Sequence, residues 1–159
     1  MHPDIKTLVY EAEDHYLKLA ELKIFKDSIT SLVVRLETYK LLRDREIDIF
    51  QPVADALVDR FSEESQETLE RALKHWLSVV RYCAMAMLLN NPEFLQRRIL
   101  EWLTDIVQAH QIQEMEKHLY QLLKAGLQEN LTERQWALLE PFLSQAEMTL
   151  FKSGELVQL

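Results

Sequence analysis

Residues 67–89 read ETLERALKHWLSVVRYCAMAMLL and form the most apolar long segment of the chain. The segment contains neither glycine nor proline, so it predicts one long, largely buried helix. Ser62 and Ser65 precede it and offer side-chain oxygens that can cap the N-terminus of a helix. In the turn that follows, Asn91 is placed to cap a new helix whose first residue is Pro92.

Amphipathic patterns on both sides of this segment predict further helices. Apolar residues recur there at spacings of three and four, and strand-like alternation is absent. Pro52 predicts a kink or a helix start near residues 50–52, and Thr132 and Gln135 form the ends of a capping box. The chain is therefore predicted to be all-α, with about five or six helices. Seven segments are candidates for these helices: besides residues 67–89, they are 8–22, 29–45, 46–61, 92–110, 112–127 and 132–151.

Length and composition favour a single compact domain. The chain has 159 residues, and no long linker, repeat or low-complexity tract interrupts them. Only two residues are glycine, which argues against a phosphate-binding loop, a dinucleotide-binding turn or a series of tight hairpins. We therefore expect one domain over residues 1–159.

The charge balance and the cysteine count exclude several classes of function. Lys and Arg number 18 and Asp and Glu number 26, so the net charge is −8 and nucleic-acid binding is disfavoured. No apolar stretch approaches the length of a membrane span, and the N-terminus lacks the pattern of a signal peptide. The one cysteine, Cys83, permits no intramolecular disulfide, so a reducing cytoplasmic compartment is expected.

The titratable residues form no recognisable catalytic or metal-binding motif. Five histidines are present, but none lies in a pattern with metal-ligand spacing. His75 and His110 lie on consecutive predicted helices and could face a haem from two sides. Packing explains them more simply, with His75 as a partly buried side chain and His110 at a helix C-terminus. Cys83 lies among apolar residues, where a thiol has a raised pKa and packs without reacting. We therefore expect neither an enzyme nor a metal site.

The first amphipathic segment has no obvious partner within the chain. If it extends beyond the bundle, its apolar stripe needs a second surface, which a dimer would supply. The stripe makes these residues candidates for an interface: Leu8, Ala12, Tyr16, Leu19 and Leu22.

Residues 71–82, RALKHWLSVVRY, together with Ala84 and the turn at residues 90–92, resemble the phycobiliprotein family of the light-harvesting phycobilisome. In that family this helix carries Cys-Leu-Arg-Asp, then an Arg-Tyr pair, a small-residue segment and a turn. Residues 35–61 resemble the preceding helix pair, 113–117 resemble the Val-Gln-Lys-Met-Lys segment, and 130–150 resemble the closing helix. The resemblance implies a globin-like bundle with an additional N-terminal helical hairpin that mediates dimer pairing. It also implies a division into an extension over about 1–28 and a bundle over about 29–152.

The departures from the family pattern concern the pigment. The bilin-bearing cysteine falls on Ala72, so the thioether bond to a linear tetrapyrrole cannot form there. The neighbouring Arg and Asp of the family fall on Lys74 and His75, and the second attachment cysteine of some subunits falls near Gln135. Trp76 is a candidate to fill the vacated pocket. If a bilin or haem binds without a covalent bond, the candidate pocket residues are Lys74, His75, Arg81, Tyr82 and His110.

The resemblance and its departures predict a pigment-free interaction protein that assists the assembly, docking or remodelling of phycobilisomes or photosystems. The alternatives are a non-covalent tetrapyrrole-binding protein and a globin-like sensor. The expected partners are components of photosynthetic complexes, in a homodimer or a heterodimer, with neither nucleic acid nor a transmembrane segment involved. The expected location is the cytoplasm, with the cytoplasmic face of the thylakoid membrane as a candidate site.

Overall fold

A computed structural model describes the backbone of residues 3–106 and 113–155 and the side chains of residues 4–99 and 114–151. Within these ranges the chain forms helices joined by short turns and no strand, which confirms the all-α prediction. The helices are α1 (Pro3–Asp14), α2 (Leu19–Asp44), α3 (Glu46–Arg60), α4 (Gln66–Leu89), α5 (Pro92–Ile106), α6 (Gln113–Asn130) and α7 (Glu133–Glu155).

The N-terminal region differs from the prediction of one amphipathic helix over residues 8–22. The chain turns between α1 and α2, and α2 begins at Leu19 because Glu21 caps it: the backbone N–H of Lys18 donates to Glu21 Oε2 at 2.7 Å. His15 Nε2 also lies 3.3 Å from Glu21 Oε2. The two helices contact each other and form the hairpin that the resemblance implied. α2 continues without a break through residue 28, near which the extension and the bundle were predicted to divide. That division stays a prediction.

The turn between α4 and α5 follows the sequence signals at residues 90–92. Asn90 adopts the left-handed conformation (φ 47°), which lets its N–H donate to the Met87 carbonyl and the next N–H to the Ala86 carbonyl. Asn91 Oδ1 accepts from the N–H of Phe94 at 3.1 Å and so caps α5. The predicted end of α4 and start of α5 are confirmed.

The N-termini of α4 and α7 are capped by the predicted side chains. Ser65 Oγ accepts from the N–H of Thr68 at 3.2 Å. Thr132 and Gln135 bond reciprocally, since the N–H of Thr132 donates to Gln135 Oε1 at 3.0 Å and the N–H of Gln135 donates to Thr132 Oγ1 at 3.3 Å. Both helix starts are therefore determined locally.

The core lies among α3 to α7 and is lined by α2 on one side. α3 packs mainly on α6, and α7 packs on both α4 and α5. The largest fully buried side chains include Trp76, Met87 and Tyr120. α1 contacts α2, which leaves the hairpin at the edge of the bundle.

Candidate interaction surface

Exposed apolar side chains concentrate on the N-terminal hairpin. Among the described residues, fifteen large hydrophobic side chains are exposed, and eleven of them lie between Val9 and Leu36. Scattered exposed hydrophobics are ordinary, but this concentration on one hairpin makes the hairpin a candidate interaction surface.

α2 has two faces with opposite character. The face turned into the bundle buries Ser28, Arg35 and Thr38 together with Leu42. The opposite face carries five exposed apolar residues at spacings of three, four, three and four, which we name the α2 seam. The α2 seam consists of Leu22, Phe25, Ile29, Leu32 and Leu36, each between 37% and 47% exposed.

Arg35 holds the inward face of α2 against α4. Its Nη1 donates to the Met87 carbonyl at 2.6 Å, and its Nε donates to Ser31 Oγ at 3.1 Å. Met87 lies in the last turn of α4, where the partial negative charge of the helix end favours a guanidinium. Burial lowers the pKa of Arg35, and Asp4 on α1 opposes that shift. Arg35 therefore ties α1, α2 and α4 together.

The structure places the predicted interface residues in two environments. Leu8 is buried within the hairpin, whereas Ala12 on α1 is exposed. Tyr16 in the turn and Leu19 at the start of α2 are 98% and 87% exposed, and Leu22 begins the α2 seam. A role for all five in an interface stays a prediction.

Sequence reasoning missed the greater part of the α2 seam. The predicted bundle over about 29–152 includes the apolar residues between 29 and 36, since helical spacing alone does not say which face of a helix is covered. The available signal is that apolar residues lie on more than one side of α2: Ile29 and Leu36 share one side, and Leu42 lies on the other.

Ala72, to which the resemblance assigns the pigment-attachment cysteine, lies in the core of this chain. Ala72 is buried, and Trp76, one helical turn further along α4, is fully buried. The Trp76 ring lies 5.2 Å from that of Tyr120 and 5.9 Å from that of Phe151, measured between centroids. Because residues four apart share a helix face, Trp76 and its neighbouring rings lie on the same side of α4 as Ala72.

A buried histidine and a half-buried glutamate lie next to this aromatic group. His75 Nδ1 is 3.9 Å from Glu116 Oε1, and their side chains are 4% and 22% exposed. Burial lowers the pKa of His75 and raises the pKa of Glu116 to about 7. Burial therefore favours the neutral form of both groups.

The predicted pocket residues lie on two faces of α4. Lys74 and Arg81, seven residues apart, are exposed, whereas His75 is buried and Tyr82 is half-buried on another face. His110 lies outside the described residues. Binding of a tetrapyrrole by this set stays a prediction.

Arg81 lies at a small cavity between α2, α3 and α4. Its Nε and Nη2 donate to the two carboxylate oxygens of Glu46 at 2.7 and 2.9 Å. The cavity is about 220 Å³, below the usual range of about 300–1,000 Å³ for ligand pockets. Its lining consists of Tyr39, Leu42, Arg43, Glu46, Ile49, Phe50, Val80, Arg81, Ala84 and Leu127.

Cys83 packs in the core. It is fully buried, its Sγ lies 3.6 Å from the Phe142 carbonyl, and burial raises the pKa of the thiol. These are the properties expected of an unreactive cysteine.

The described part of the chain holds no cluster of three or more His, Cys, Asp or Glu side chains that could bind a metal ion. None of its helices combines the length and the apolar character needed to cross a membrane.

The architecture and the exposed α2 seam define an all-α, globin-like protein with an N-terminal helical hairpin. The chain belongs to the phycobilisome protein family, since the family model described as Phycobilisome protein matches residues 7–150. No curated protein matches the chain at a significant level.

Proposed function

We propose that this chain is a pigment-free interaction protein that docks onto components of phycobilisomes or photosystems and assists their assembly or remodelling. The exposed α2 seam carries this proposal. Fully burying one Leu, Ile or Phe side chain stabilises a complex by about 1.5–3 kcal/mol. The seam residues are already more than half buried, so covering all five contributes about 3–6 kcal/mol before the costs of association.

The interior of α4 supports the pigment-free part of the proposal. Ala72 offers no thiol for a thioether bond, and the packed rings around Trp76 lie on the same side of α4. His75, at the position of the family's aspartate, is buried beside Glu116. A protonated bilin requires a fixed negative charge there, whereas burial favours the neutral form of both groups.

The same reasoning extends to the class of protein and its location. A docking role needs no catalytic residues, and we infer a non-enzymatic protein. We also infer a homodimer or a heterodimer with a photosynthetic component, located in the cytoplasm at the face of the thylakoid membrane.

Co-purification from the host tests the docking role. Ile29→Asp places a charge at the centre of the α2 seam, and Val58→Asp makes the same change at an exposed valine of α3. We expect phycobilisome or photosystem components to accompany the wild-type protein and the Val58→Asp variant and to be lost from Ile29→Asp. Recovery of the same components with Ile29→Asp would contradict docking through the seam. The isolated chain, freed of its partners and mixed with bilin or haem, should stay colourless. A visible absorption band that remains with the isolated chain through gel filtration would contradict the pigment-free role.

A further inference from the structure

The α2 seam has the repeat of a coiled coil. Leu22, Ile29 and Leu36 fall on one heptad position and Phe25 and Leu32 on the other, which corresponds to positions a and d. A strict alternation of three and four gives a period of 3.5 residues, which keeps the apolar line facing one partner helix over its whole length. The surface therefore fits a single helix rather than a loop or a flat sheet.

The two edges of the seam differ in accessibility. Ser28, Arg35 and Leu42 occupy the g positions and are buried within the chain. The e positions hold Lys26, Val33 and Lys40, which are all exposed. An incoming helix therefore meets only the e edge, whose charged residues are two lysines in a chain of net charge −8.

Because only the e edge is accessible, pairing of the α2 seam with the seam of a second copy of the chain is disfavoured. In an antiparallel pair, e positions face e positions, so Lys26 and Lys40 would meet the lysines of the other copy. In a parallel pair, e positions face g positions, and here the g positions are already buried against the chain's own helices.

We propose that the α2 seam binds one helix of a different protein, with apolar residues at its a and d positions and Glu or Asp along the edge that faces Lys26 and Lys40. This rests on the proposed docking function and specifies its partner. The apolar line supplies the affinity, and the carboxylates select the partner and its register.

Two synthetic three-heptad peptides test the proposal. Both carry Leu at a and d; one carries Glu at every e and g position, and the other carries Lys. Fluorescence anisotropy with the full-length protein should give about tenfold tighter binding of the Glu peptide, because two lysines gain carboxylates in one complex and meet lysines in the other. The double variant Lys26→Glu/Lys40→Glu should reverse the preference. The control Lys74→Glu/Lys117→Glu changes exposed lysines of α4 and α6 and should preserve it.

Three results would overturn the inference. One is equal binding of the two peptides, and another is a preference unchanged in the Lys26→Glu/Lys40→Glu variant. The third is a dimer of the wild-type chain in sedimentation equilibrium, provided that Ile29→Asp abolishes the dimer and that the dimer binds neither peptide. If any of these occurs while Ile29→Asp still loses its partners in the host, the helix chemistry is wrong and the docking function stands. Retention of those partners by Ile29→Asp refutes the docking function itself.

Discussion

Replacing Glu116 with Gln tests the energetics of the His75–Glu116 pair beside Trp76. Glu116 Oε1 lies 3.9 Å from His75 Nδ1, and the Glu116 side chain is 22% exposed. Burial raises the pKa of Glu116 from 4.5 to about 7. The folded chain therefore holds this proton more tightly than the unfolded chain does, and ionisation of Glu116 opposes folding.

The sign of the effect follows from this raised pKa. The stabilising contribution of protonated Glu116 is fully present below pH 4.5, the ordinary pKa of a glutamate in the unfolded chain, and is lost as the pH rises through about 7. At about 1.4 kcal/mol for each pKa unit, the loss amounts to at most about 3 kcal/mol. The lowered pKa of His75 acts in the opposite direction, since stability falls as the pH drops below 6.5. Comparing the variant with the wild type isolates the contribution of Glu116.

Urea unfolding at pH 5 and pH 8, followed by circular dichroism, measures the difference. We expect Glu116→Gln to match the wild type within about 1 kcal/mol at pH 5 and to exceed its free energy of unfolding by about 2–3 kcal/mol at pH 8. Glu114→Gln, an exposed position on the same helix, is the matched control and should leave both values unchanged. A Glu116→Gln variant that is less stable than the wild type at pH 8, or equally shifted at both pH values, would refute the reasoning.

Two other substitutions test the contacts that hold the hairpin and the aromatic group. Arg35→Ala should lower the free energy of unfolding by about 2 kcal/mol, because it removes a charge-assisted hydrogen bond and a packed stem, whereas Arg43→Ala at an exposed position of α2 should have little effect. Equal stability of the two arginine variants in urea unfolding would contradict the anchoring role. Trp76→Ala should lower the free energy of unfolding by about 3–5 kcal/mol and the melting temperature with it. Trp136 is half-buried, so Trp136→Ala should lower the free energy of unfolding by less. A Trp76→Ala variant as stable as Trp136→Ala would argue against the packed ring group.

The features that were predicted correctly depend on short-range signals. Ser65, Asn91 and Thr132 each bond within their own first helical turn, so the sequence contains all the partners that determine those helix starts. The break before Leu19 was missed although it is also local, because the apolar spacing continues across it and the capping carboxylate of Glu21 stands inside that pattern.

The inward and outward faces of α2 depend on long-range contacts. The residues between 28 and 42 are apolar on one side and mixed on the other, and periodicity alone favours burial of the apolar side. The structure reverses this, because Arg35 reaches a carbonyl 52 residues away at the end of α4. The partner of a buried arginine lies outside any window of local sequence. The burial of His75 against Glu116 was out of reach for the same reason.

The reversed polarity of α2 explains how an apolar surface can stay exposed without collapsing into the bundle. Rotating α2 to bury Leu22, Ile29 and Leu36 would carry Arg35 away from the Met87 carbonyl and leave that guanidinium facing outward. The same rotation would bring Lys26 and Lys40 towards the core, where unpaired charges are strongly disfavoured. The arginine anchor thus holds the α2 seam as a preformed surface. The proposed partner helix would therefore gain the burial of the seam without the cost of ordering it, and a modest apolar area would suffice for specific binding.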